Sequence, residues 1–299
     1  MKTMVKLLKG NNIGILFVLP ALIFMIFFIA YPIISNIILS MQDVTVMTFI
    51  MPNKPFIGFD NYFRLFSDEV LRLSIFNTLI FTLGSLIFQF IIGLLLALLF
   101  NINFLGAKQL RGLMMVPWMI PITITALIFK FMFTSNVGII NQILIFLKII
   151  SNPIDWLITP NTAMSALIIT NIWIGIPFNM ILLSVGLTTI PKELYESSSI
   201  DGANKVQSFF KITLPLLKPT IESVLILGFI YTFKVFDLVF VMTGGGPVNT
   251  THLLSTYSYK LSFTLFKYSE GAATANILFV ILLIASLLYL KVTNTDEQV

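Results

Sequence analysis

The 299-residue chain contains no cysteine and a single histidine, His252. The first absence excludes disulfides, thiolate metal sites and cysteine nucleophiles. The second excludes His-rich metal centres and His-based triads. Charge is scarce too: Asp, Glu, Lys and Arg make up 10% of residues, against about 25% in an average soluble domain. So few charges cannot cover a water-facing surface. With 57% of the chain apolar, the solvent for most of it is lipid. A Walker phosphate loop is also missing, because Gly244-Gly245-Gly246 is followed by Pro247 where Gly-Lys-Ser/Thr would have to enter a helix. The net charge of +5 is dispersed near the ends of apolar runs. It reads as a topology signal, not as a nucleic-acid-binding patch. Internal repeats, low-complexity tracts and a soluble domain are likewise not evident.

What the chain does have is a series of apolar runs of about 20 residues, enough to cross a bilayer as helices. Six are expected: 13–38, 74–100, 112–131, 162–187, 220–242 and 271–290. The first is free of charge, follows Lys2, Lys6 and Lys9, and is too long for a signal-peptide core, so it reads as an uncleaved anchor. Pro20 and Pro32 fall inside it, as Pro117 and Pro121 fall inside the third; membrane helices tolerate proline when neighbours satisfy the freed carbonyls. A further apolar stretch, 131–147, contains Asn136, Gly138, Asn141 and Gln142 and reads as a short helix at the outer interface. The competing reading makes it a seventh span, which would invert the second half. The expected class is therefore an all-α, polytopic membrane protein built as one domain over 1–299.

Orientation follows from Lys and Arg. With six spans and both termini in the cytoplasm, the inner segments carry ten basic residues and the outer segments seven.

The longest polar segment is 191–219, between the fourth and fifth spans. Pro191 suits a helix start. Glu193 and Glu196 follow where the helix dipole favours negative charge, and Gly202 suits a C-terminal stop. A short helix over 192–201 and a second over 204–212, running into Leu214-Pro215, are expected. Such a loop is either a docking knob for a partner or an interfacial loop lying among headgroups.

Two spans carry polar and small residues at helical spacing. Asn171, Ile174, Gly175 and Phe178 share one face of the fourth, and Gly228, Tyr231, Thr232 and Val235 share one face of the fifth. An amide, a gap and an aromatic ring suit a sugar's hydroxyls and its flat C–H face. The same residues also suit plain helix–helix packing. Lys234 and Asp237 lie three apart near the outer end of the fifth span. They read either as a polar gate or as a mutual pair on one helix face, with Lys234 snorkelling. Glu222 reads as interfacial.

The loop resembles the EAA loop of ABC importer permeases, whose pattern is Glu-Ala-Ala, three residues, Gly, nine residues, Ile, one residue, Leu-Pro. Glu196, Gly202, Ile212, Leu214 and Pro215 match at those spacings, Asp201-Gly202-Ala203 matches the extended form, and Ser197-Ser198 stands in place of Ala-Ala. The segment 111–121 with Val116-Pro117-Trp118, the run Gly138-Ile139-Ile140-Asn141, and 236–247 followed by Thr250, Thr251, Tyr257 and Tyr259 look like the carbohydrate-uptake members of that group. This resemblance implies a permease subunit that is not itself an enzyme. It implies a second related permease, two ATPase subunits that bind ATP and Mg, an extracytoplasmic solute-binding protein, and a sugar or oligosaccharide as cargo. The glycerol-3-phosphate permease shares the motifs and gives an alternative cargo. By the same resemblance Glu196, Ser197, Ser198, Asp201, Gly202, Ala203, Ile212, Leu214 and Pro215 would couple to the ATPase. The faces named above in the fourth and fifth spans would line the solute path, and the Gly244–Pro247 turn would belong to an outer loop that meets the binding protein. An ion-coupled secondary transporter is the rival class, against which stand the missing repeat and the missing buried acid chain.

Overall fold

A computed structural model describes residues 12–102 and 104–296, with side chains for 17–102 and 104–291. The described chain is helical, with one isolated antiparallel bridge, Gln42 to Phe56. The helices are α1 (12–40), α2 (Asp60–Phe66), α3 (Glu69–Asn101), α4 (Ala107–Leu113), α5 (Val116–Met119), α6 (Ile122–Met132), α7 (Ile139–Phe146), α8 (Pro160–Thr188), α9 (Lys192–Ile200), α10 (Lys205–Phe233), α11 (Asp237–Met242), α12 (Leu254–Tyr259) and α13 (Tyr268–Asp296). Among the described residues five helices are long and apolar enough to cross a membrane, and α4–α5 with α6 make a sixth if that bent pair is one span.

The chain divides into two compact units. The smaller contains the described parts of 1–67 and 258–277. Its α1 passes through Pro20 without a break and takes a π turn over Ile26–Ala30, where the Tyr31 N–H reaches Ile26 O. Pro32 explains the turn: it has no N–H to give and its ring would crowd the carbonyl four residues back. In the same unit Asn276 Nδ2 donates to Ser40 Oγ and to Tyr62 Oη, each at 3.0 Å. Asn61 Nδ2 donates to the carbonyls of Ser40 and Gln42.

The larger unit covers 68–257 and 278 onward. Its axis is the contact of α3 with α8. A Cβ added at Gly84 would meet Ile168, one at Gly175 would meet Gln89, and one at Gly93 would meet Asn179. Contacts that advance together along both helices make α3 and α8 parallel. Two parallel spans leave room for one crossing between them, so the 131–147 stretch is not a seventh span; it forms the eight-residue α7. Helices α8 and α10 are antiparallel: Gly186 faces Leu217 and Thr220, while Phe178 meets Tyr231.

Two expected spans differ. The third is not a continuous helix over 112–131: α4–α5 and α6 are bent by 94°. Ile120 before Pro121 is extended (ψ 132), as is Pro121 itself (ψ 134). A residue before proline is driven out of the α region by the Cδ clash. The fifth does not run over 220–242. It begins at Lys205, ends at Phe233, and restarts as α11 at Asp237. No glycine or proline marks that break. The Val235 carbonyl freed there accepts from Ser255 Oγ at 2.5 Å. Leu238, Val239 and Met242 of α11 pack with Phe81, Ala126 and Phe133. A contact from 20 residues downstream outweighs local propensity. The remaining spans extend the expected ones by a few residues. In α3 the cause is Asp68, whose side chain accepts from the Val70 N–H at 2.8 Å and starts the helix five residues before the apolar run.

Candidate functional site: a cavity among the spans and the loop between α8 and α10

The α3–α8–α10 contact leaves a cavity of about 400 Å³, within the range of small-molecule sites. All eight residues expected to line a solute path border it: Asn171, Ile174, Gly175 and Phe178 from α8, and Gly228, Tyr231, Thr232 and Val235 from α10 and its end. The Phe178 and Tyr231 rings meet edge to face, centroids 5.9 Å apart and planes at 81°. Lys234 and Asp237 also border the cavity. They do not share a helix face, however, because α10 ends at Phe233 and Asp237 opens α11. Lys234 Nζ lies 5.2 Å from the centre of the Tyr231 ring, a cation–π contact.

Five lining residues were outside the expectation: Gln89, Trp118, Ile122, Asn179 and Phe236. Two had a signal. Gln89 is an amide in the middle of an apolar span, where polar side chains usually serve a purpose. Asn179 continues the 171–175 spacing by one more turn. Trp118 and Ile122 arrive only through the right-angled bend at Pro121, and Phe236 only through the break after Phe233. Gly175 and Gly228 also let α3 side chains approach closely. An added Cβ would fall 2.2 Å from Gln89 Cδ at the first and 2.6 Å from Leu86 Cδ1 at the second. Both are seats for α3 side chains as well as borders of the cavity.

The loop between α8 and α10 forms as two limbs. Pro191 caps α9 as its N-cap residue, with Glu193 in the first turn. Gly202, at φ +79, ends it. The Ala203 N–H reaches Ser198 O and the Gly202 N–H reaches Ser199 O, the Schellman arrangement that uses up the last carbonyls of a helix. The second limb starts at Asn204, which exchanges side-chain and backbone hydrogen bonds with Gln207 in a capping box. It has no stop at Leu214-Pro215. A π turn over Phe209–Thr213 delivers it into the span, with the same register to Pro215 that the earlier π turn has to Pro32. Glu196, Ser197, Asp201 and Gly202 are exposed, as are Leu194, Ile200, Val206 and Phe210. Ser198 Oγ lies 3.3 Å from Ser208 Oγ and donates to the Tyr195 carbonyl. Ile212 and Tyr195 pack onto the buried cluster of Ala97, Leu183, Leu187, Ile190 and Leu217. The knob is thus exposed at its tip and tied to the bundle at its base. Since α3 and α8 are parallel, it lies at the same end as the short connection carrying Lys108 and Arg111.

The Gly244–Pro247 turn is a folded loop and not the entrance to a helix. Gly244 and Gly245 have positive φ, and Gly245 backs onto the ring of His252. His252 is buried, and its carbonyl accepts from Asn77 Nδ2.

Residues 89–292 match the family described as binding-protein-dependent transport system inner membrane component. The chain belongs to that family. This permease is 37% identical over 285 residues to the trehalose/maltose transport system permease protein MalF of Thermococcus litoralis, covering 95% of this chain and 94% of that protein. It is 34% identical over 290 residues to the sulfoquinovosyl glycerol transport system permease protein SmoG of Agrobacterium fabrum, covering 97% and 93%. Among solved structures it resembles a bacterial alginate ABC transporter in complex with an alginate pentasaccharide-bound periplasmic protein. That match has TM-score 0.81 and 26% identity and covers 95% of this chain and 94% of that one. The permease is an inner-membrane transport component, and the whole of the larger unit's cavity lies within the matched family region.

Proposed function

We propose that this permease carries a sugar or oligosaccharide across the cytoplasmic membrane by alternating access, driven by ATP hydrolysis on separate subunits. The observation that carries the reading is the cavity. Its border combines aromatic rings (Phe178, Tyr231, Trp118, Phe236) with neutral polar side chains (Gln89, Asn171, Asn179, Thr232). Rings suit the C–H face of a sugar, and amides suit its hydroxyls. Among the described residues at the border, the cation Lys234 stands with the anion Asp237. That balance favours a neutral solute over glycerol-3-phosphate. The relatives' named cargoes, trehalose, maltose and sulfoquinovosyl glycerol, are all glycosides.

In this reading the ATP and Mg sites lie on two ATPase subunits that grip α9 around Glu196, and this chain supplies no catalytic group or cofactor. A second, related permease completes the pore, and an extracytoplasmic binding protein delivers the solute. The whole chain then acts as one permease domain, with both termini in the cytoplasm and lipid around the bundle. Lys234 and Asp237, at the rim where α10 breaks, are the candidate gate.

The test is uptake by the reconstituted importer of a panel of labelled glycosides that includes trehalose and maltose. Saturable, ATP-dependent entry of at least one, weakened by Phe178→Ala with assembly intact, supports the reading. Entry that runs on an ion gradient without ATP contradicts it.

A further inference from the structure

Helix α8 is weakened where it borders the cavity. Pro177 lies inside it, so the Trp173 carbonyl loses its usual partner and the turn is crowded by the ring. Gly175 lies two residues earlier and adds backbone freedom of its own. A loosened turn at this position is unexpected in a helix whose side chains at 171, 174 and 178 must present together.

Two amides brace it. Gln89 of α3, with only 3% of its surface exposed, donates from Nε2 to the Asn171 carbonyl at 2.8 Å. Asn179 Nδ2 donates to the Gly175 carbonyl at 2.9 Å. The fit is reciprocal: the Gln89 amide lies on Gly175, and the Asn179 Cβ lies against Gly93. Among the described residues, Asn171 Nδ2 and Asn179 Oδ1 are buried at the cavity without a hydrogen-bond partner. A buried polar atom left in that state costs free energy unless something binds it. One is a donor and the other an acceptor, a pair that a hydroxyl group can serve.

From this geometry we infer that Gln89 is a positioning residue of the solute site: it pins the loosened turn of α8 to α3 and so holds Asn171 and Phe178 in the arrangement that receives hydroxyls. Gly175 acts chiefly as the seat of the Gln89 amide, not as a contact for solute. The inference rests on the reading of this cavity as the solute site.

The experiment compares Gln89→Met, Gly175→Ala, Gln89→Ala and the Gln89→Ala/Gly175→Ala double variant with Asn171→Ala, each in the full reconstituted importer with maltose and trehalose as probes. Methionine keeps the length of glutamine and removes its donor. Its KM is expected to rise about five- to tenfold with Vmax within about twofold, the effect of one lost buried hydrogen bond felt only in binding. Gly175→Ala is expected to lower both thermal stability and uptake. The double variant should behave as Gln89→Ala alone, since the alanine methyl fills the space the amide leaves. Multiplicative losses in the double variant would overturn the seat. Unchanged KM in Gln89→Met while Asn171→Ala raises it would overturn the positioning role and leave the cavity reading intact. No change in KM in any variant, with the stability coupling still present, would overturn the cavity reading and this inference with it.

Discussion

Tyr195 Oη and Thr213 Oγ1 lie 2.9 Å apart and join the two limbs of the loop at its base, just where Tyr195 and Ile212 meet the bundle core. The bond links a helix that faces outward with the π turn that feeds α10. A force applied at the tip of α9 therefore has a direct mechanical route into the span that borders the cavity.

Removing that bond and keeping the ring should loosen the route without unpacking it. Tyr195→Phe is expected to cost about 1 kcal/mol of stability and to lower uptake per ATP hydrolysed. Thermal unfolding in detergent and the uptake-to-hydrolysis ratio in proteoliposomes measure the two effects. An unaltered ratio would mean that force enters by another path.

Charge reversal at the tip should act differently. Glu196 is exposed, so Glu196→Lys is expected to leave folding and membrane levels unaffected and to abolish transport. Immunoblotting of membranes with a parallel uptake assay separates the two. Normal uptake would remove Glu196 from the docking role.

The Phe178–Tyr231 ring pair predicts an interaction visible in a double-mutant cycle. Phe178→Ala and Tyr231→Ala should each weaken solute uptake. Their combined effect on stability should fall short of the sum by about 0.5–1.5 kcal/mol, as for other edge-to-face pairs. Strict additivity in thermal denaturation would mean that the pair is not held in this geometry.

Asp68 serves two elements with two oxygens. One caps the Val70 N–H at 2.8 Å, and the other accepts the Tyr257 hydroxyl. Asp68→Ala should cost about 2 kcal/mol, from a lost helix cap and a lost charged hydrogen bond. Asp68→Asn should cost less because the cap survives. A thermal-shift comparison of the two variants decides, and equal losses would contradict the cap.

Much of this molecule is legible in its residue order. The apolar runs, Pro191, the glycine at 202 and the 3.6-residue spacing of 171–178 and 228–235 each act locally, so the chain alone announces them. The features that were not legible depend on distant partners. The break after Phe233 is stabilised by Ser255, and the right angle at Pro121 has a local cause but no local sign of its size. The Gln89 brace needs α3 and α8 to be parallel and in register. Ser198 is instructive: as a small residue replacing alanine it looks neutral, yet its hydroxyl reaches Ser208 and the Tyr195 carbonyl.

In the proposed function this permease works as part of an ATP-driven complex. This is tested most directly by purifying the tagged chain from native membranes in mild detergent and identifying by mass what accompanies it. An ATPase subunit, a second permease of the same family and, on addition of solute, a binding protein are expected. The chain coming down alone, under conditions that preserve a known importer in parallel, would contradict the proposed function.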